Sequence, residues 1–472
     1  LPASFFSISS PRFRQESKIL LKLAFPILLA QLALTALGVV DTLMSGWSGT
    51  NDLAAIGLGS SIMLPVFIFG TGVLLAITPL VAKAFGRHDN ESVSVFLAQG
   101  VVLALPIGLL SAFILNNMQP VLDLLELNSE VYRLTDEYLR YIAWGLPAIA
   151  FYQALRFYWE GLGQTLPTMW ISFVALICNI PLNALFIYGG FGIDPMGAAG
   201  CGVASAIVMW LMLAAGLVYV YRNPNTCQHI NWSHLLPKHW KQGGMPALKI
   251  GIPNAMALLF EVSLFTLIAL FVAPLGATVL AGQQIAISVT SMAFMLPLSL
   301  SMALTVRIGQ EYGRGDLNRL RQVMQVGYFY ALMMGAFLAL NTYFFRHELI
   351  GLYTEDPAVI TVTITLLILA AIYQIFDSVQ VSTAGILRGF HDTKVTMWVT
   401  FVSYWLIGIG LGYVLSFTNW ITNPQGVVGF WLGICLGLAV AAVLLVWRLR
   451  YQLPFLYTEM QLSHVVTKGD YD

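Results

Sequence analysis

The sequence predicts an all-α integral membrane protein of twelve transmembrane helices, arranged as two six-helix bundles that repeat each other in parallel. Three observations predict it. Apolar residues make up 58% of the 472 positions and charged residues only 10%, and mean hydropathy is +0.77. A soluble domain carries about 25% charge, so this chain lacks the charge to cover a water-facing surface and expects lipid instead. The second observation is the distribution of basic residues along the chain. The third is an internal similarity at a nearly constant offset.

A helix that crosses a bilayer needs about 20 predominantly apolar residues. Twelve stretches qualify. The first half contributes 19–45, 53–81, 92–115, 136–158, 168–189 and 199–221. The second contributes 247–273, 279–308, 321–343, 359–386, 395–416 and 427–448. Acids, amides, Gly and Pro punctuate the gaps. The first stretch is long enough to span, so it is expected to remain as helix 1 rather than to be cleaved as a signal. The implied organisation is an N-terminal arm (1–18), a six-helix lobe (19–221), a linker (222–246), a second six-helix lobe (247–450) and a tail (451–472). With the N-terminus inside, only Arg133, Arg140 and Arg346 of the 23 Lys and Arg residues fall on the outer side. Such a bias sets orientation. A missed helix would scramble it, so it supports the count and predicts that arm, linker and tail are all cytoplasmic.

The halves match at an offset near 228. Lys22-Leu-Ala-Phe-Pro26 corresponds to Lys249-Ile-Gly-Ile-Pro253, and Gly86-Arg87 to Gly313-Arg314. Thr168-Met169-Trp170 corresponds to Thr396-Met397-Trp398, and Gly197 and Gly200 to Gly426 and Gly429. An even number of spans per copy makes both copies enter from one side, related by an axis along the membrane normal. A cavity between two such lobes is a natural alternating-access pathway, and nothing in the chain resembles a channel filter loop. No Walker-type phosphate loop is present, so an ion gradient is the expected energy source and no cofactor is expected. The formal net charge of 0 argues against a nucleic-acid partner. Cys178, Cys201, Cys227 and Cys435 show no metal-ligand spacing and are expected as unpaired, mostly buried thiols.

Three acids stand in long apolar contexts: Asp41, Glu261 and Asp377. A charge at the bilayer midplane costs a few kcal/mol or more, so each is expected to serve a cation or proton site. No intramembrane Lys or Arg offers itself as a partner in the sequence. Glu261 and Asp377 share the second half, and Tyr373 lies one helical turn before Asp377. Their oxygens suit Na⁺ as a metal ligand set, and they suit equally a shared proton. Asp41 is alone in the first half, near the expected end of helix 1, where capping is the competing role. Asn179 and Asn183 share one face of their helix, and Gln284 lies in the eighth span; all three are candidates for a substrate cavity. Pro26, inside helix 1, is a candidate hinge.

These segments resemble the multidrug and toxic compound extrusion (MATE) family, in its bacterial NorM-type branch. The resemblance rests on KLAFPILL (22–29), VVDTLMSGW (39–47), NIPLNALFIYG (179–189), LLFEVSLF (258–265), AGQQIAISVTSMAFMLPLS (281–299) and YQIFDSVQVSTAGILRGFHDTK (373–394). It covers about residues 15–450. It implies a V-shaped antiporter of the bacterial inner membrane that expels organic cationic drugs and dyes while Na⁺ or H⁺ enters, among membrane lipids and as a monomer. It implies a cation-coupling role for Glu261, Asp377 and Tyr373, and proton or substrate coupling for Asp41. A flippase for lipid-linked precursors is the alternative of like architecture; it calls for a more basic cavity than three acids suggest.

Overall fold

The computed structural model describes residues 10–125, 127–421 and 423–469; residues 1–9 of the expected arm and 470–472 of the expected tail lie outside it. The described residues are helical apart from loops and one isolated bridge between Gly190 and Ile193. The helices are α1 (Pro11–Ser48), α2 (Thr50–Gly86), α3 (Asn90–Asn116), α4 (Ser129–Ala143), α5 (Leu146–Gly161), α6 (Leu166–Tyr188) and α7 (Ala198–Arg222). After the linker follow α8 (Gly244–Val272), α9 (Ala277–Arg314), α10 (Leu317–Phe344), α11 (Pro357–Gly389), α12 (Thr393–Phe417) and α13 (Val427–Gly469). Eleven described helices are long and apolar enough to cross a membrane. The remaining expected span, the fourth at 136–158, is divided between α4 and α5, which break at Trp144-Gly145 just before Leu146-Pro147. Proline is favoured in the first turn of a helix, where its missing N–H costs no hydrogen bond, and so marks a new start there.

Two helices run beyond the stretches read from hydropathy. Ser10 accepts a hydrogen bond from the Phe13 N–H at 3.1 Å, and Pro11 follows it. A serine cap followed by proline starts a helix, so α1 begins eight residues before Ile19 and takes in part of the expected arm. Phe13, Glu16 and Ser17 are buried there. At the other end α13 continues past Arg448 and through Pro454 into the expected tail.

The chain forms two compact units. One comprises 25–255; the other comprises 1–24 together with 256–472. Each boundary therefore falls inside a helix, within a turn of Pro26 in α1 and of Pro253 in α8. The opening turns of α1 belong with the second-half helices, and those of α8 with the first half.

The repeat is visible in backbone chemistry. Asp89 caps α3 by accepting from Ser92 N–H, and Asp316 caps α10 by accepting from Asn318 and Arg319 N–H. Asn128 caps α4 and Asp356 caps α11 in the same way. The Met196 and Gly197 N–H groups donate to the Phe186 and Ile187 carbonyls, as the Gln425 and Gly426 groups donate to Leu415 and Ser416. Gly197 and Gly426 share φ +57°, a left-handed conformation that favours glycine.

In the second unit the core gathers Leu264, Ile268, Ala286, Leu366, Tyr373, Tyr404 and Trp431. Within α12, residues Val402–Leu411 wind as a π-helix. A Cβ on Gly437 would lie 2.5 Å from the Ser403 carbonyl oxygen, and one on Gly433 would collide with that of Gly408. The glycines of α13 thus let it lie against the widened turn that carries Tyr404.

Candidate functional site

Asp41 lies seven residues before the end of α1, inside the helix rather than at its cap. Its carboxylate is partly buried and accepts from two other helices. Asn183 Nδ2 donates to Oδ1 at 2.6 Å, and Ser205 Oγ donates to Oδ2 at 3.0 Å. Asn183 Nδ2 also donates to Asn179 Oδ1 at 3.0 Å. Asn179 and Asn183 are 1% and 0% exposed, so their amides answer to this cluster rather than to solvent. Cys201 and the buried Tyr138 are close enough to interact with the carboxyl group. The sequence explains how three helices meet here. Asn179 and Asn183 are one turn apart on α6, as are Cys201 and Ser205 on α7. A Cβ on Gly200 would strike the Phe186 carbonyl oxygen, and one on Gly202 would lie 2.8 Å from that of Tyr138. Bare backbone at these positions lets α7 approach α6 and α4 and delivers Ser205 to Asp41. Tyr188 Oη donates to the Met44 carbonyl at 2.6 Å, pinning the end of α6 to α1.

The second unit holds the other two acids. Glu261 on α8 is partly buried, and Asp377 on α11 is 6% exposed. They lie within electrostatic reach of each other. Tyr373, 4% exposed, and Tyr404 on the π-helical turn sit in the same field. Tyr373 packs its ring 6.0 Å from that of Trp431. Arg388 changes the picture drawn from sequence, which grouped it with the cytoplasmic loops. It is the penultimate residue of α11, is buried, donates to Ser301 Oγ at 3.3 Å and lies within electrostatic reach of Glu261. Glu261 therefore has a basic partner inside its unit. Gln284 falls on an exposed face of α9, whereas its neighbour Gln283 is 1% exposed with neither amide atom hydrogen-bonded.

Comparison with known proteins places these features in a family. The MatE family model matches the chain twice, over residues 26–185 and 253–414, one copy on each half. The chain belongs to the MATE family. Its relatives assign it to the NorM-type branch. It is 38% identical to the multidrug resistance protein NorM of Aliivibrio fischeri over 96% of this chain and all of the relative. It is 43% identical to a probable multidrug resistance protein NorM of Shewanella oneidensis, covering 92% of this chain and 95% of the relative. The fold extends further. The eukaryotic MATE transporter AtDTX14 superposes with TM-score 0.84 at 20% identity, covering 95% of this chain and all of that one. The Vibrio cholerae MATE transporter VcmN in its bent form superposes with TM-score 0.82 at 19% identity, covering 96% and 99%. The MATE chain is thus a multi-pass membrane protein, and its family is one of transporters rather than enzymes.

In this MATE chain a buried ion pair supports the Asp41 cluster. Arg156 Nε donates to Glu160 Oε1 at 2.7 Å, with side chains 3% and 1% exposed. Glu160 Oε1 also accepts from Thr168 Oγ1 at 3.0 Å, and Trp159 Nε1 donates to Thr168 at 2.9 Å. Arg156 Nη2 reaches Gln31 Oε1 at 3.4 Å. The network joins α5 to α1 and α6, the helices that carry Asp41 and its two asparagines. Sequence reading put Arg156 with the cytoplasmic cations and passed over Glu160. Of the four thiols, Cys201 and Cys435 are buried, Cys178 is partly buried and Cys227 is exposed; none is paired.

Proposed function

We propose that this protein is a secondary multidrug antiporter of the bacterial inner membrane, with Na⁺ or H⁺ entering as organic cationic drugs and dyes leave. The curated relatives are named for multidrug resistance, and the acids supply the coupling chemistry. The observation that carries the reading is the Asp41 cluster. Both carboxylate oxygens accept from neutral donors, an arrangement that answers the ionised acid; a protonated acid would instead donate, and needs an acceptor. Asn183 Oδ1 is buried without a partner. When a proton or an organic cation reaches Asp41, the Asn183 amide can turn that oxygen toward it, and the Ser205 hydroxyl can rotate to accept. Loading therefore rewrites the bonds that tie α1 to α6 and α7.

In the second unit Glu261 and Asp377 offer carboxylates to an entering cation, with Tyr373 beside them. Arg388 offsets one negative charge, so the pair can wait for its cation in a low-dielectric setting. Exchange follows if cation and drug cannot both be held in one conformation. The chain alternates access between its lobes, with Pro26 absorbing the change in α1, and its termini lie in the cytoplasm. The flippase alternative needs surplus positive charge for phosphate, but the buried Arg156 and Arg388 each have an acid in reach.

The test is dye transport in proteoliposomes of purified protein. An imposed inward Na⁺ or H⁺ gradient should drive dye against its own gradient. Dye that only runs down its gradient, indifferent to both ions, contradicts the proposal.

A further inference from the structure

The first unit contains a cavity of about 240 Å³ that the transport reading does not use. It lies where α3, α5 and α7 meet the linker. Leu97, Ala98, Val101, Leu155, Leu213 and Leu217 make its wall, and Ile230 and Leu235 of the linker close one side. A wall so lined offers water few hydrogen-bonding partners. The cleft is partly open, and its apolar wall suits an apolar occupant.

The polar groups gather at one end. Ser94, Tyr221, His229 and Asn231 also line the cavity. The linker is held there by its histidines: His229 Nδ1 bonds Tyr158 Oη at 2.9 Å, and His234 Nδ1 bonds Ser94 Oγ at 2.9 Å. From Arg222 to Lys241 the chain carries Arg222, Lys238 and Lys241 and no acid. All three are exposed. Arg222 adjoins Tyr221, and Lys238 lies within electrostatic reach of His234. The acid that reaches His234 is Glu91, on α3.

We propose that this cavity holds one acyl chain of an anionic phospholipid, with its headgroup phosphate on the linker's basic residues. An apolar cleft matches a hydrocarbon tail, and basic segments beside a membrane helix attract anionic headgroups. The same three positive charges disfavour a cationic amphiphile, which separates this site from a second drug site.

The experiment uses the full chain in mixed-lipid nanodiscs and a phosphatidylglycerol probe bearing a photoreactive group on its tail. Wild-type protein should be labelled on the cavity-facing peptides of α3 and α7. Ala98→Trp, which fills the space, should lower that labelling about tenfold, as expected when several methylenes lose their contacts. Leu217→Trp, on α7, gives an independent filling variant should the first fail to fold. Lys238→Gln with Lys241→Gln should weaken phosphatidylglycerol labelling and leave that by a phosphatidylcholine probe unchanged. Equal labelling by both lipids in the wild type, undiminished labelling in the filled variants, or displacement of the probe by a cationic dye would each overturn the proposal.

Discussion

Replacing Arg156 by Met tests whether the buried ion pair organises the helices around Asp41. The guanidinium and the Glu160 carboxylate are 2.7 Å apart and 3% and 1% exposed. Removing the cation leaves Glu160 buried with only the Thr168 hydroxyl to answer it. Breaking such a pair from one side costs about 3–5 kcal/mol, because an uncompensated charge stays in the interior. Replacing both partners by apolar residues of similar size costs little or even stabilises. Thermal unfolding in detergent distinguishes the two cases. For a unit of this size each kcal/mol moves the midpoint by about 2–4 °C. Arg156→Met alone should therefore lower it by roughly 6–20 °C, and Arg156→Met with Glu160→Met should restore most of the loss. The restored protein should still lose transport if the Gln31 contact helps to place α1. A double variant no more stable than the single one would refute the reasoning, since the damage would then come from lost packing.

Three further outcomes follow from contacts described above. Asn183→Ala removes a hydrogen bond to a charged group, a loss of about 1.5–3 kcal/mol, and should cut dye exchange while folding, read by size-exclusion profile and a cooperative unfolding transition, persists. Gly200→Ala should cost about 1–3 kcal/mol as an overpacked contact against the Phe186 carbonyl, whereas Gly38→Ala, with open space around it, should be neutral or slightly stabilising by the same unfolding assay. Burial pushes His229 below the usual histidine value, and burial with the nearby His239 and Lys238 does the same to His234. Both rings therefore dock neutral. The stability they lend to the linker is present above their unfolded value of about 6.5 and is lost as pH falls below it. Proteolytic nicking between residues 223 and 243 should accelerate on acidification, and His229→Gln should blunt that response.

Much of the fold was legible because lipid imposes long apolar runs and because the basic residues alternate in step with them. What hydropathy could not show were ends set by caps and partners. The Ser10–Pro11 start is a capping signal rather than an apolar one, and the burial of Glu16 depends on Arg307, 2.7 Å away but 291 residues distant. The break at Gly145 was marked by Leu146-Pro147 yet outweighed by the apolar count around it. At the site, the spacing of Asn179 and Asn183 placed them together on one helix face, and the structure shows them bonded. Ser205 was silent: a serine in a small-residue helix reads as packing until α1 is brought beside it. Arg388 was assigned to a loop because the orientation rule counts cations near helix ends without asking which way they turn. That rule serves topology well and misses a cation buried in the last turn.

The central claim is that Asp41, Glu261 and Asp377 couple drug exit to cation entry. The most direct test is dye exchange in proteoliposomes under separately imposed Na⁺ and pH gradients, repeated with Asp41→Asn, Glu261→Gln and Asp377→Asn. The account predicts gradient-driven exchange by the wild type and a loss of coupling in the variants, with dye binding weakened most by the change at Asp41. Unchanged gradient-driven exchange in all three would contradict it.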